Sequence, residues 1–235
     1  MNGFITNYET MGSADGPGVR LVLFLAGCKL RCKYCHNPET WCGNGELKEI
    51  SSQEVLRLYN KYKVYYGTGG GVTFSGGEPL LQTEFVLETV KLLKENGVHV
   101  ALDTAGVCDN INEELLNLVD LVILDVKATN EKEYKWLTGY EMTDFRRFVT
   151  KCLALRKTLW LRQVIVPNVN DDEKHVLELK KFAKSLENAR VERIELLPYH
   201  SMAKSKYEKL GIPYELASTS DMSREKLKEL QNLLK

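Results

Sequence analysis

Short apolar runs alternate along the chain with longer stretches in which apolar positions recur three or four residues apart. The first kind, rich in Val, Ile and Leu, reads as β-strand and the second as amphipathic helix. Six segments carry the strand signal: VRLVLFLA (19–26), GVTFS (71–75), VHVALD (98–103), LVILDVK (121–127), LWLRQVIV (159–166) and RIELLPY (193–199). They show little polar/apolar alternation, as parallel strands covered on both faces do. Between them, SSQEVLRLYNKY (51–62) sets Ser51 and Glu54 at capping-box spacing, and Pro79 suits the first turn of a helix running to Gly97. DDEKHVLELKKFAKSLEN (171–188) starts acidic, as helix N-termini prefer, and SREKLKELQNLLK (223–235) forms a last amphipathic helix. The βα rhythm predicts an α/β fold. Six units are too few for a closed eight-stranded barrel, so a partial (β/α)6 TIM-like barrel of parallel strands is expected, with a doubly wound open sheet as the alternative. No internal repeat, low-complexity tract or long linker divides the chain, and one domain over 1–235 is expected.

The polar residues gather where such folds build their sites. Cys28 follows the first strand, SGGE (75–78) the second, Asp103 and Thr104 end the third, Asp125 and Lys127 end the fourth, and His200 follows the sixth. All lie at strand C-terminal ends. By strand parity Leu121, Ile123, Asp125 and Lys127 share one face, so the two charged groups point the same way. Arg162 sits inside an apolar strand and needs a partner, since an unpaired buried charge is costly; it is expected to face the same cavity.

Composition narrows the class of function. With 32 Lys+Arg against 32 Asp+Glu, the formal net charge of +0 gives no support for binding nucleic acid or an anionic membrane. The start of the chain, MNGFITNYETMG, has no basic leader followed by an apolar segment. No apolar run approaches the ~18 residues of a spanning helix, so a soluble, cytoplasmic protein is expected. Six cysteines, three of them crowded into 28–35, point to metal ligation in a reducing compartment rather than a disulfide framework.

Close-set thiolates select zinc, copper(I) or iron-sulfur clusters. Structural zinc takes four protein ligands and an electron-transfer cluster four cysteines, so three leave either incomplete. A 4Fe-4S cluster on Cys28, Cys32 and Cys35 would keep one iron open. A structural metal site completed by His36 or Cys42 is the alternative. Lys29, Arg31 and Lys33 interleave the cysteines, either offsetting cluster charge or simply solvated. GGGVTFSGGEP (69–79) lacks the GK[ST] ending of a phosphate-cradling loop. Tight turns alone would explain Gly76 and Gly77; close approach to a ligand, with Glu78 offering a carboxylate to a cationic amino group, is the functional alternative. Cys42, Cys108 and Cys152 show no cluster spacing and are expected to be inert.

CxxxCxxC with Tyr34 before its last cysteine, together with SGGEP after the next strand, resembles the radical S-adenosylmethionine superfamily. Within it the chain is similar to the activases of glycyl radical enzymes, and to the branch acting on pyruvate formate-lyase. DGPGVR (15–20), CKYCHNPETW (32–41), GGGVTFSGGEP, LDTAG (102–106), LDVK (124–127), LRQVIVP (161–167) and IELLPYH (194–200) carry that likeness in order, through nearly the whole chain. The resemblance implies a radical SAM oxidoreductase in which Cys28, Cys32 and Cys35 hold the cluster and the open iron takes the amino and carboxylate groups of S-adenosylmethionine. Reductive cleavage then yields methionine and a 5'-deoxyadenosyl radical that takes hydrogen from a glycine of the partner enzyme. It places Tyr34 and His36 beside the nucleoside, Gly77 and Glu78 on the methionine part, Asp125, Val126 and Lys127 along the cofactor, and His200 over it. Asp15, His36 and Arg162 are the expected holders of the glycine loop, and Asp103, Thr104 and Asp125 of a monovalent cation, Na+ or K+. Asp125 with Lys127 or Arg162 as a plain structural ion pair is the alternative for the charged residues, and a hydrogen-bonded surface histidine the alternative for His200.

Cluster potentials reach down to about −700 mV, so a low-potential donor such as reduced flavodoxin and anaerobic operation are implied. Related activases carry a ferredoxin-like insert with further cysteine clusters; here residues 36–70 contain only Cys42, which points to pyruvate formate-lyase or a close 2-oxoacid-cleaving relative. A monomer is expected. Two other functions remain in view: radical chemistry on a small molecule, against which DGPGVR and LLPYH speak, and an iron-sulfur electron carrier with all four irons ligated.

Overall fold

The structure is a computed structural model that describes residues 1–41 and 47–235. Its elements run β1 (Asn2–Gly12), β2 (Arg20–Leu25), β3 (Lys48–Ser51), α1 (Ser52–Tyr66), β4 (Gly71–Gly76), α2 (Thr83–Glu95), β5 (His99–Thr104) and α3 (Glu113–Leu118). There follow β6 (Leu121–Asp125), α4 (Glu131–Thr138), α5 (Thr143–Ala154), β7 (Thr158–Ile165), α6 (Glu173–Ser185), β8 (Arg190–Pro198), α7 (Lys204–Leu210) and α8 (Arg224–Asn232).

One sheet orders the strands β3-β1-β2-β4-β5-β6-β7-β8. From β2 to β8 every neighbour is parallel, and these six strands are the six the hydrophobic pattern predicts. Among the described residues no strand joins β8 back to β3, so the sheet is a partial barrel. Strand parity separates its two faces. Val100, Leu102, Val122, Leu124, Leu159 and Leu161 enter the large core beneath the helices. Their alternates Ala101, Leu121 and Ile123, with Trp160 packed on them, make a small cluster of their own. A doubly wound sheet would cover both faces with helices; here the second face closes on itself.

β1 and β3, both antiparallel, are additions the sequence pattern did not reveal. β1 alternates buried and exposed positions only over its first residues, and its pairing with β2 is interrupted by register shifts after Ile5 and Glu9. β3 is four residues long. An antiparallel strand solvated on one face, as these two are, has no continuous apolar run to betray it.

The helix starts follow their caps. Ser51 and Glu54 form the reciprocal capping box of α1; Asp172 caps α6 at the His175 N–H and Ser223 caps α8 at the Lys226 N–H. Pro79 opens a 3-10 turn, Pro79–Gln82, and α2 begins only at Thr83. The delay has a cause: Gln82 is held outside the helix by Phe4, accepting from its N–H at 2.8 Å and donating to its carbonyl at 2.7 Å. Among the described residues, no helix is long and apolar enough to cross a membrane.

Candidate active site at the open end of the barrel

A cavity of about 390 Å3 lies at the C-terminal ends of the parallel strands, within the ~300–1,000 Å3 of small-molecule sites. Its wall includes Cys28, Cys32, Tyr34, Cys35 and His36 from the loop after β2, and Gly77 from the loop after β4. Asp103 and Thr104 of β5, Asp125 and Lys127 at the end of β6, Arg162 of β7, His200 after β8 and Asp15 before β2 complete the set. Two expected residues stand off it. Val126 is 0% exposed within the large core, and Glu78 is 0% exposed behind the wall.

The cysteine loop is braced on both sides. Gly27 N–H donates to Thr40 O at 2.7 Å, while Arg31 and Lys33 N–H groups donate to Thr138 O at 2.8 Å and Leu137 O at 2.9 Å at the end of α4. From α7, the Tyr207 hydroxyl donates to Cys35 O at 3.2 Å. Lys206 donates to His36 O, Asn37 Oδ1 and Glu39 Oε1 at 2.9, 3.0 and 2.6 Å. Burial pushes the thiols of Cys28 and Cys32 up to about 12. It raises Cys35 too, against hydrogen bonds from the Asn37 backbone and the Trp41 side chain.

Of the cations between the cysteines, Lys29 pairs with Asp109 and Lys33 with Glu215, while the Arg31 guanidinium stays with the loop, donating to Cys28 O at 2.7 Å and lying 5.0 Å from the Trp41 ring centroid. The positive charge acting on all three thiols is Lys127, from the far end of β6.

These residues fit an iron-sulfur cluster. Three thiols on one wall, Cys32 buried and Cys28 and Cys35 partly so, are the donor set such a cluster uses. Among the described residues no group of three His, Cys, Asp or Glu is arranged to hold a single metal ion. His36, one candidate to complete a zinc site, is instead turned to His200: the ring centroids are 3.9 Å apart and His36 Nε2 lies 3.4 Å from His200 O. Burial, and then His200, lower the His36 pKa. Cys42, the other candidate, lies outside the described residues. Two polar atoms buried at the cavity, Tyr34 OH and His200 Nδ1, have no hydrogen-bond partner among the described residues, as expected where a polar ligand supplies it.

The glycines of SGGE serve the fold first. Gly77 N–H donates to Leu25 O at 2.8 Å and Glu78 N–H to Gly27 O at 2.7 Å, fastening this loop to the cysteine loop. A Cβ on Gly77 would lie 2.1 Å from Gly27 O, so no other residue fits. The Glu78 carboxylate accepts from Thr104 Oγ1 at 2.5 Å, Ala105 N–H at 3.0 Å and Leu80 N–H at 3.1 Å. Burial pushes its pKa up to about 7 despite those donors. It ties the β4 loop to the end of β5, and Thr104 spends its only proton on it.

Above the floor lies a layer of charge. Lys127 donates to Asp125 at 2.7 Å, as their shared strand face predicts, and stands 5.6 Å from the Tyr34 ring centroid. Burial opposes the Lys127 charge, but Asp125 and its neighbours hold the pKa well above the usual lysine value. Asp103 accepts from the Ser75 hydroxyl at 2.7 Å, and burial followed by Asp125 pushes its pKa up to about 7. Arg162 donates from Nε to Glu195 at 3.0 Å and from Nη2 to Ala14 O, and Nη1 lies 3.6 Å from Asp15. Burial raises the Asp15 pKa, with Arg162 pulling against it. Glu195 escaped the sequence analysis, although it interrupts an apolar strand as Arg162 does and sits opposite it in register.

Residues 14–155 match the family of the 4Fe-4S single cluster domain. The chain is 44% identical over 234 residues to the pyruvate formate-lyase-activating enzyme of Clostridium pasteurianum, covering 99% of this chain and 97% of that protein. It is 40% identical over 237 residues to the enzyme so named from Staphylococcus epidermidis, covering 97% and 94%. A radical SAM methyltransferase from Sphaerobacter thermophilus shares the fold at a TM-score of 0.59 and 16% identity, over 92% of this chain and 63% of that chain. With three cysteines, a glycine-rich wall and a charged rim in one cavity, and with likeness at this level over nearly its full length, the chain belongs to the family of pyruvate formate-lyase-activating enzymes of the radical SAM superfamily.

Proposed function

We propose that this protein installs a glycyl radical on pyruvate formate-lyase or a close 2-oxoacid-cleaving relative, using a 4Fe-4S cluster and S-adenosylmethionine. The observation that carries the reading is that one cavity joins the three-cysteine wall to the Asp15–Arg162 pair. Bound together, cluster and S-adenosylmethionine supply the electron that opens the sulfonium and the 5'-deoxyadenosyl radical that removes hydrogen from the partner's glycine. Everything else falls to the chain. Cys28, Cys32 and Cys35 ligate three irons and leave the fourth open. Tyr34 and His36 flank the nucleoside, Gly77 bounds the methionine part, Asp125 and Lys127 line the cofactor and His200 closes over it, with Tyr34 OH and His200 Nδ1, unpaired among the described residues, left to bond it. Glu78 and Val126 act from behind, holding the loop and the strand end in place. Asp15, His36 and Arg162 receive the glycine loop.

Asp103 and Asp125, two carboxylates close enough that one raises the pKa of the other, suit a monovalent cation. Thr104 joins them through its backbone, because its hydroxyl is bound to Glu78. Reduced flavodoxin or another low-potential carrier is the electron donor, and the protein works as a cytoplasmic monomer of one domain.

The test is anaerobic reconstitution followed by S-adenosylmethionine, reductant and pyruvate formate-lyase. A stable glycine-centred radical on the partner is expected. Free 5'-deoxyadenosine with no radical on any glycyl radical enzyme supplied would sink the substrate assignment.

A further inference from the structure

The loop Asp15–Gly18 enters the cavity ahead of β2 and carries Asp15 to Arg162. Its backbone is gripped by side chains from three strands. Arg162 of β7 donates to Ala14 O. Thr73 of β4 donates its hydroxyl proton to Asp15 O at 2.7 Å, and Arg20 of β2 donates from Nη1 to Pro17 O at 2.6 Å. Arg20 also donates from Nε to Thr73 Oγ1 at 2.6 Å. A hydroxyl has one proton, so accepting from Arg20 orients Thr73 to give that proton to Asp15 O.

Arg20 is 0% exposed. Its hydrogen-bond partners among the described residues are Thr73, Pro17 O, Val72 O at 3.1 Å and His99 Nδ1 at 3.2 Å, none of them a carboxylate. Burial brings its pKa down to about 10. Asp120 and Asp15 act on it only through space, and desolvating a cation is costly, so its burial here is weak support for stability and points to the acceptors it organises. The loop is shaped to it: Gly16 has φ +132°, and a Cβ there would lie 2.9 Å from Arg20 Nε.

We propose that Arg20 and Thr73 are positioning residues for partner recognition: the relay Arg20–Thr73–Asp15 O fixes the loop so that the Asp15 carboxylate faces Arg162. This rests on the reading of Asp15 and Arg162 as holders of the partner's glycine loop. The relay lies outside the cysteine and nucleoside walls, so it acts on the protein partner and not on S-adenosylmethionine.

Thr73→Val removes the hydroxyl at nearly constant volume, Thr73→Ser restores it, and Arg20→Lys keeps the charge while breaking the fork. Each variant is prepared as the reconstituted full chain, with iron content and melting temperature recorded. Two measurements decide. Amide hydrogen exchange over residues 14–20 needs no partner and is expected to quicken in Thr73→Val and Arg20→Lys and to return in Thr73→Ser. With pyruvate formate-lyase as substrate, KM for the partner is expected to rise about tenfold, the equivalent of one lost hydrogen bond, while kcat and the affinity for S-adenosylmethionine hold. Combining Thr73→Val with Asp15→Asn is expected to add little to Asp15→Asn alone. Unchanged exchange in the loop, an unchanged partner KM, or equal weakening of partner and S-adenosylmethionine would each overturn the proposal. A wild-type protein that yields no radical on the partner, with exchange behaving as expected, would instead overturn the functional reading and leave the relay standing as the support of the loop.

Discussion

On β5 Ala101 precedes Asp103, on β6 Ile123 precedes Asp125, and on β7 Trp160 precedes Arg162, each pair on one strand face and two residues apart. The first member belongs to the barrel floor, where Ala101, Leu121 and Ile123 pack with Trp160 and exclude water. The second belongs to the charged rim. The same pleat therefore yields a plug at one depth and a site at the next. The floor gives the rim a low-dielectric base, on which the pairs Asp125–Lys127 and Arg162–Glu195 act more strongly than they would in water. Stability is concentrated below and chemistry above.

That division can be broken or sharpened by substitution. The largest effect belongs to the cysteine wall beside the rim. Cys32→Ala is expected to remove the cluster and with it all glycyl radical formation, read as iron content and radical signal, whereas Cys42→Ala should keep both; loss of iron in the latter would end the three-ligand reading. At the rim, Arg162→Ala is expected to lower partner activation by about 10–100-fold, the loss of a charged hydrogen bond, with S-adenosylmethionine binding changed far less. Equal losses would assign Arg162 to the cofactor pocket or the fold.

The floor should answer differently. Ile123→Ala leaves a cavity and is expected to cost about 2–5 kcal/mol in unfolding free energy by denaturant titration, while the KM for the partner per folded molecule stays level. A rise in KM would mean that floor and rim are coupled. Outside the barrel, His175 bridges α4 and α6 through Glu133 at 3.1 Å and Asp172 at 2.7 Å. Burial opposes its charge, but the two carboxylates raise its pKa. Its contribution is therefore full below the unfolded value of about 6.5 and fades as pH rises through the folded value. Because both carboxylate partners are more exposed than the ring itself, it should stay under about 1 kcal/mol. His175→Gln should flatten that part of the stability profile and leave activation untouched; a matching change in activation would link α6 to the site.

The legible parts of the molecule are those in which a residue's surroundings are its own neighbours in sequence. The six parallel strands announced themselves as apolar runs, and Ser51 with Glu54 marked the start of α1. Asp125 and Lys127 met as strand parity requires. β1 and β3 stayed hidden because antiparallel strands with one solvated face carry no such run. Glu78 read as a ligand because a carboxylate beside two glycines invites it, yet its partners are Thr104 and Ala105, on the next strand's end. Lys29 and Lys33 could be read as charge neighbours of the cysteines or as solvated loop cations, and only their pairing with the distant Asp109 and Glu215 separated the two.

The sequence by itself determined the fold class, the cysteine set and the ends of the strands on which polar residues fall, since hydrophobic period and ligand spacing are short-range quantities. Only the tertiary structure decided which charges meet. Thr73 and Asp15 are 58 positions apart, Arg162 and Ala14 148, and Lys33 and Glu215 182. Such pairings depend on how the curled sheet brings strand ends together, and no local pattern records that closure.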